Sequence, residues 1–526
     1  MQPNKRKNQS KGWFFFVCVK FRIIKEGAFE REATGIHALL REENMNAANY
    51  LCGKGGCQRY LEDREELMKL HLLHTNDLHG HLEHWDVIRT FLIDRQDTYR
   101  NLNEPVLTFD IGDAMDAVHP MVEATQGKVM VDIFNEARYD KVTLGNNEGL
   151  NFTKETLAAL YQAADFDVII GNLRDGRTQE PLPWAKPYDF IEVDGLQVLV
   201  IGLTAPYQTY PLNGYLIQMP DYALGEIFKQ THKEQSADLT ILLSHLGIRT
   251  DRKLAQQFPE LDVILGAHTH HVLVDGEEVN GVMLGAAGRY GEFVGEMTLT
   301  YDAPKHNWSI EAKAHSIEQL AERYKLPVQN DRYRAKGEAY LAEKIISTQS
   351  PGLYVQELSG QHSFIHFALE AIMQETNLDL AVLNSGLFLS DLPEGHVTAK
   401  QIHEALPHPM HLAVIEMQGW QLLELLEEMD SQAEDLLYQM INGLGFRGKI
   451  FGELVWSGIS YHDVSQNWSV HSRPIETDAI YRFATVDHLW FLPFFPSIDR
   501  YGQPELRFPK FLRHVVQEHL NTLYTD

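Results

Sequence analysis

Asp77 and His79, Asp113, Asn146, His245, and His268 with His270 are of the residue types that bind divalent cations, and each stands at or just past the end of an apolar run. The runs are LHLLHTNDLH (Leu70 to His79), VLTFDIGD (Val106 to Asp113), KVTLGNNE (Lys141 to Glu148), LTILLSHLG (Leu239 to Gly247) and DVILGAHTH (Asp262 to His270). A mixture of carboxylate, amide oxygen and imidazole suits Mn2+, Zn2+, Fe2+ or Co2+ better than calcium or copper. Seven candidate ligands are too many for one ion. Two divalent metal ions bridged by a shared carboxylate account for the number.

Ligands so far apart in the chain meet only if the runs are neighbouring strands. In an α/β fold the loops at the carboxyl ends of such strands converge on one crevice. Asp77 with His79, and His268 with His270, are i,i+2 pairs, and extended backbone would point both members of each pair the same way. Apolar residues at helical spacing fill the intervals over Trp85 to Gln96, Gly127 to Tyr139 and Lys154 to Ala164. Phe190 to Thr204 reads as two strands about an Asp-Gly turn, and a further strand pair is expected between Val282 and Tyr301.

The ordered set DxH, GD, GNxE, H and HxH resembles the calcineurin-like metallophosphoesterases. The NDLHGH opening and the later half bring the chain closer to the 5'-nucleotidase/UDP-sugar hydrolase family, over roughly residues 69 to 505. A lone D-x-H or H-x-H would mean little; five segments in the family's order, each after a strand, are specific. The resemblance implies an α/β fold, a four-layer metallophosphoesterase sandwich over 68–310. A linker helix over 311–350 would lead to a smaller α+β C-terminal 5'-nucleotidase-type domain over 351–505, and a C-terminal helix would occupy 506–526. It also implies roles: Asp77, His79 and His270 on the first metal, Asn146, His245 and His268 on the second, and Asp113 bridging. A bridging water would attack phosphorus in line while both ions neutralise the developing charge.

Two departures from the family's pattern bear on activity. The usual GNHE reads GNNE, so Asn147 replaces a histidine that helps the leaving oxygen depart. An amide donates a hydrogen bond but cannot pass on a proton. His119 and His81, inside the motif loops, are the candidates to substitute, with His271 behind them. On the substrate side the turn NSGLFLSD keeps Asn384 but has Leu389 where an arginine is usual. Phe446, Arg447 and Phe451 in GFRGKIFGE, and Trp490 and Phe491 in HLWFLPFFP, are the candidates for contacts with a base, ribose or phosphate. An aromatic run in a strand-rich segment is more often core.

Composition narrows the partners. A chain of 526 residues exceeds one ordinary core. A net charge of −27 argues against nucleic acid as a partner and requires that a phosphorylated substrate be attracted locally, which divalent cations would do. The three cysteines, Cys18, Cys52 and Cys57, all precede the first motif, and CGKGGC lacks the second half of a zinc site. WFFFVCV near the start has charged residues directly after it. It is too short to span a bilayer and has no cleavage site of the secretory kind, so stable membrane insertion is not expected. Residues 1–67 read as a disordered or mis-assigned leader, and a cytoplasmic location is preferred to a secreted or cell-surface one. The expected activity is metal-dependent hydrolysis of a small phosphate ester, a nucleotide first. Cyclic nucleotides, UDP-sugars and dinucleotides are the alternative substrates. From another class, the chain could be a nucleotide-binding protein with weakened catalysis.

Overall fold

The computed structural model of the chain describes residues 68–303, 307–441, 446–462 and 467–525. The leader expected over 1–67, with its three cysteines, lies outside the described residues. Strands Met68–Thr75 and Val106–Asp110 are buried along nearly their whole length, which is why their sequences are continuous apolar runs rather than alternating ones. They lie in a six-stranded sheet ordered Asn307–Ser316, Phe293–Asp302, Met68–Thr75, Val106–Asp110, Lys141–Val142, Asp167–Val168. The last four of these are parallel, and Phe293–Asp302 runs antiparallel beside them. A second six-stranded sheet is ordered Glu277–Val279, Val282–Gly285, Val263–Gly266, Leu239–His245, Leu196–Thr204, Tyr188–Val193, with its middle four strands parallel.

The period-2 alternation of strand side chains sorts the residues into layers. Leu70 and Leu72 meet Val198, Val200, Ile241 and Leu243 in the core between the sheets. Leu73 turns to the other side, where Trp85, Ile88 and Phe91 of helix Trp85–Asn101 cover it. Leu199, Ile201 and Leu203 pack outward against helices Pro220–Glu234 and Ile248–Gln257. Helix, sheet, sheet, helix is the four-layer sandwich. The C-terminal domain is α+β: a sheet ordered Leu454–Ser457, Ala381–Asn384, Ile480–Val486, His411–Gln418, Gln503–Phe511 shares a core with helices Phe364–Thr376 and Gly419–Ser431. Among the described residues no helix is long and apolar enough to cross a membrane.

Several elements differ from their sequence reading. Asp194 and Gly195, both at positive φ, do turn Tyr188–Val193 into Leu196–Thr204. Val282–Gly285 and Phe293–Asp302 do not pair; they belong to the two facing sheets. The segment between them crosses from one sheet to the other and passes the ligand loops, and its apolar flanks read alike in either arrangement. In place of one linker helix over 311–350 there are helices Ile317–Tyr324 and Arg332–Glu343, with strand residues before and after. The helix expected over 506–526 begins only at Leu512, because Gln503–Phe511 is claimed by the sheet edge beside His411–Gln418.

A buried ion pair ties the last helix to the metal-loop side. Arg513 is fully buried and donates to Glu123 (2.6 Å) and to the carbonyls of Ala117 (3.2 Å) and His408 (3.0 Å). His514 adds a contact to Glu123 at 2.9 Å. Burial alone would raise the pKa of Glu123, but Arg513 and His514 outweigh it and hold the carboxylate well below its ordinary 4.5. The pair's stabilisation is therefore full above that value and is lost as pH falls towards the folded-state pKa. We predict that Arg513→Met, which leaves Glu123 buried without its main counter-charge, lowers unfolding stability in urea by about 3–5 kcal/mol. Adding Glu123→Leu should recover most of the loss. An unchanged midpoint in the single variant would contradict this role.

Candidate metal centre

The ligand-bearing loops leave the carboxyl ends of parallel strands in both sheets. Asp77 and His79 follow Met68–Thr75, Asp113 follows Val106–Asp110, and Asn146 follows Lys141–Val142; in the second sheet His245 ends Leu239–His245, and His268 and His270 follow Val263–Gly266. These loops are not extended. Asp77, His79, Asp113, His268 and His270 all have positive φ, between 48° and 72°. The i,i+2 pairs therefore converge through left-handed turns and not through strand geometry. Asp and His tolerate that region better than bulkier residues, at a cost of order 1–3 kcal/mol each. Gly112 and Gly145 let two of the loops touch: a Cβ on Gly112 would stand 2.1 Å from the Gly145 nitrogen.

Two groups result, Asp77–His79–His270 and Asp113–His245–His268, each with its ligand atoms within 4.8 Å of one another. His79 Nε2 lies 3.3 Å from His270 Nε2 and 3.8 Å from Asp77 Oδ1. Asp113 Oδ2 is 3.3 Å from His245 Nε2 and 3.8 Å from His79 Nε2, so it stands between the groups. Asn146 Oδ1 is a buried acceptor without a hydrogen-bond partner, and His245 Nε2, for all its contact with Asp113, makes no well-formed hydrogen bond. Such orphans are costly unless a cation takes them. Burial opposes charge on His245, yet Asp113 and Asp77 hold its pKa up to about 10; the cluster calls for positive charge. Burial, aided by their neighbours, brings His268 and His270 down to about 4, so both offer neutral lone pairs.

Partners behind these residues fix their orientation. His245 Nδ1 donates to the Ile111 carbonyl at 2.7 Å, which turns Nε2 towards Asp113. Asp77 accepts from Asn76 Nδ2 (2.9 Å) and from the His268 amide (3.0 Å). Glu148, whose role the motif alone did not disclose, accepts the amides of Asp113, Met115 and Gly145 at 2.8–3.0 Å and so staples two ligand loops together. Asn147 lies against His79 Nδ1 at 3.0 Å, and its backbone amide donates to Asp113 at 2.7 Å.

A cleft of about 550 Å³ opens from the metal groups towards the C-terminal domain. Arg447 reaches into it and binds Asp116 at 2.8 Å, and Phe491 lines it with 43% of its surface exposed. Trp490 stacks on Phe491 at 4.9 Å, outside the lining. The other expected substrate contacts are turned away. Phe451 is wholly buried, Phe446 is sandwiched between His408 and His488, and Asn384 is buried with its amide on the Phe451 carbonyl. These three fill the C-terminal core, so a base sandwich by Phe446 and Phe451 is not available in this structure. His119 and His81 lie outside the cleft lining but share with His79 and Arg447 a pocket of about 310 Å³ next to it. His119 caps helix Pro120–Thr125 through Nδ1 and contacts Asp331 through Nε2 at 3.2 Å; His81 stacks on Tyr290 and contacts Glu83 at 2.7 Å. Unforeseen in the cleft wall are Tyr207, Arg289, Tyr290, His411, Asp487 and Phe508. No spacing rule marks them, because they arrive from turns and from the second domain.

Residues 70–272 match the family model of calcineurin-like phosphoesterases, and residues 344–490 match that of the 5'-nucleotidase C-terminal domain. YunD, described as an uncharacterized metallophosphoesterase of Bacillus subtilis (strain 168), is 34% identical over 461 residues, 85% of this chain and 98% of that one. A 5'-nucleotidase of Vibrio cholerae is 23% identical over 454 residues, 73% of this chain and 79% of the other. Among solved structures, a putative 5'-nucleotidase from Staphylococcus aureus is similar with a TM-score of 0.59 at 18% identity, covering 86% of this chain and 96% of that one. The NAD nucleotidase of Haemophilus influenzae gives 0.58 at 17% identity, covering 87% and 97%. At those identities the structural likenesses establish the fold alone. Together with the paired metal-ligating groups, the family matches and the YunD similarity make this chain a calcineurin-like phosphoesterase with a 5'-nucleotidase C-terminal domain, a member of a family of metal-dependent phosphoric ester hydrolases.

Proposed function

We propose that the chain hydrolyses nucleotides or related small phosphate esters with a pair of divalent cations. Asp77, His79 and His270 would hold one, Asn146, His245 and His268 the other, and Asp113 both. The observation that carries this reading is a carboxylate, Asp113, within 3.3–3.8 Å of imidazoles of both ligand groups, with the buried Asn146 Oδ1 left without a hydrogen-bond partner nearby. Mn2+, Zn2+, Fe2+ or Co2+ suits this donor set. Bound there, such ions supply activation of water and neutralisation of phosphoryl charge.

The protein's own side chains do the rest. Arg447, on Asp116 at the cleft wall, can orient a phosphoryl oxygen, and Phe491 offers an exposed ring to the remainder of the substrate. Asn147 steadies His79 and can donate to a phosphate oxygen, but it holds no transferable proton. His119 and His81 contact Asp331 and Glu83, and Asn147 itself offers no proton to the departing oxygen. This favours substrates whose leaving groups depart as anions, phosphoanhydrides among them.

Two outcomes are predicted. Asp113→Asn should lose metal occupancy and activity together, since a neutral amide cannot balance two cations. Elemental analysis finding two bound metals in a variant with near-normal turnover would show that Asp113 is not the bridge. In the parent protein, turnover should depend steeply on leaving-group pKa, with aryl phosphates faster than alkyl monophosphates. Asn147→His should flatten that dependence by accelerating poor leaving groups up to about 10²-fold. Rates over a series of phosphate esters check this, and a shallow slope unchanged by the substitution would mean that another residue supplies the proton.

A further inference from the structure

Arg289 lines the metal cleft with an exposed guanidinium that no carboxylate pairs among the described residues. Its only neighbours of note are the Tyr290 ring, 4.6 Å below it, and His270 Nδ1 at 3.5 Å. The other arginine in the cleft, Arg447, is already neutralised by Asp116. In a chain of net charge −27, a free guanidinium beside a metal-ligating histidine is not an idle surface charge. The backbone beneath it is held firmly. Asn76, next to Asp77, donates to the Gly288 carbonyl (2.7 Å) and accepts the Ala287 amide (3.0 Å), and the Tyr290 amide donates to the Asp77 carbonyl (2.8 Å). The segment carrying Arg289 is thus fastened to the loop carrying Asp77 and His79. Arg289 projects from a fixed base at the His270 edge of the ligand set, on a stem long enough to meet an anion beyond the reacting phosphoryl group.

Resting on the proposed hydrolysis at this site, we infer that Arg289 is a positioning residue for a second phosphate, so that the preferred substrates are phosphoanhydrides such as nucleoside diphosphates. A planar guanidinium matches phosphate oxygens with two parallel N–H donors. In the reaction, the water oxygen bonds to the terminal phosphorus. The bond from that phosphorus to the bridging oxygen breaks with its electron pair on the departing phosphate; one of the water's two protons stays on the phosphate formed and the other is released to solvent. The charge that develops on the departing phosphate is then met by Arg289. Protonation of the leaving group becomes unnecessary, in keeping with asparagine at position 147.

Arg289→Ala and Arg289→Lys test this in the metal-loaded protein with a nucleoside diphosphate and with 4-nitrophenyl phosphate, which has no second phosphate. Arg289→Ala should reduce kcat/KM for the diphosphate by about 10- to 100-fold, the range of a charge-assisted hydrogen bond. The aryl phosphate should change by less than about threefold on the same scale, and Arg289→Lys should recover part of the loss. Binding provides an independent readout. Imidodiphosphate, which resists hydrolysis, should bind more weakly to Arg289→Ala than to the parent, with inorganic phosphate little affected. Equal losses on both substrates, or no loss of imidodiphosphate binding, would overturn the inference. Failure of the parent protein to hydrolyse either ester with any of the four metals would instead count against the proposed function, and the imidodiphosphate comparison would still decide the role of Arg289.

Discussion

Two carboxylates and four imidazoles share a small volume, mostly buried, where the two sheets end, and that arrangement is unfavourable without added positive charge. The distances between ligand atoms, 3.3 to 4.0 Å, are too long for most to satisfy one another and short enough for cations to satisfy them together. His245 draws a proton in compensation, and Asn146 Oδ1 has nothing to bind. Metal binding is therefore expected to release a proton and to add to the stability of the fold, because the ligands must be deprotonated and the unfolded chain has no such site. Much else in the sandwich serves to hold these atoms in place: parallel strands that aim both sets of loops at one point, left-handed turns in five of the seven ligand positions, and Glu148 joining two loops.

The second domain completes the cleft, and none of its described residues belongs to either ligand group. Arg447 on Asp116, His411 on the Leu150 carbonyl and Arg513 on Glu123 link it to the loop after Asp113, to helix Asn146–Asn151 and to helix Pro120–Thr125. Each of these contacts involves a buried or largely buried group, and salt screens buried pairs much less than exposed ones. The cleft is asymmetric as a result. The first domain lines it with candidate metal ligands and Arg289, and the second with Arg447, His411 and Asp487 among the apolar Phe491, Leu506 and Phe508.

The residues that the structure gathers into two candidate ligand groups were legible in the sequence because their chemistry is uncommon and each follows a strand whose apolar run is unmistakable. The route by which they meet was not. Asp77 and His79 were expected on extended backbone, and the positive φ values that actually orient them leave no mark in a motif beyond the glycines beside them. Helices such as Trp85–Asn101 and Gly419–Ser431 were readable from apolar spacing, whereas Val282–Gly285 and Phe293–Asp302 looked like a pair and proved to lie in different sheets. The substrate side was least legible. Phe446, Phe451 and Phe491 are identical in type, yet two are packed into the core and one lines the cleft, a distinction that depends on tertiary packing alone. Arg289 gave no signal because a free charge differs from a paired one only in its neighbours.

Titrating metal-free protein with Mn2+ and following the bound ion by electron paramagnetic resonance shows whether the buried cluster is built around two cations. Two ions per chain and a spectrum of spins coupled through a shared carboxylate are expected. Saturation at a single uncoupled ion, or no binding, would contradict a site built around two cations.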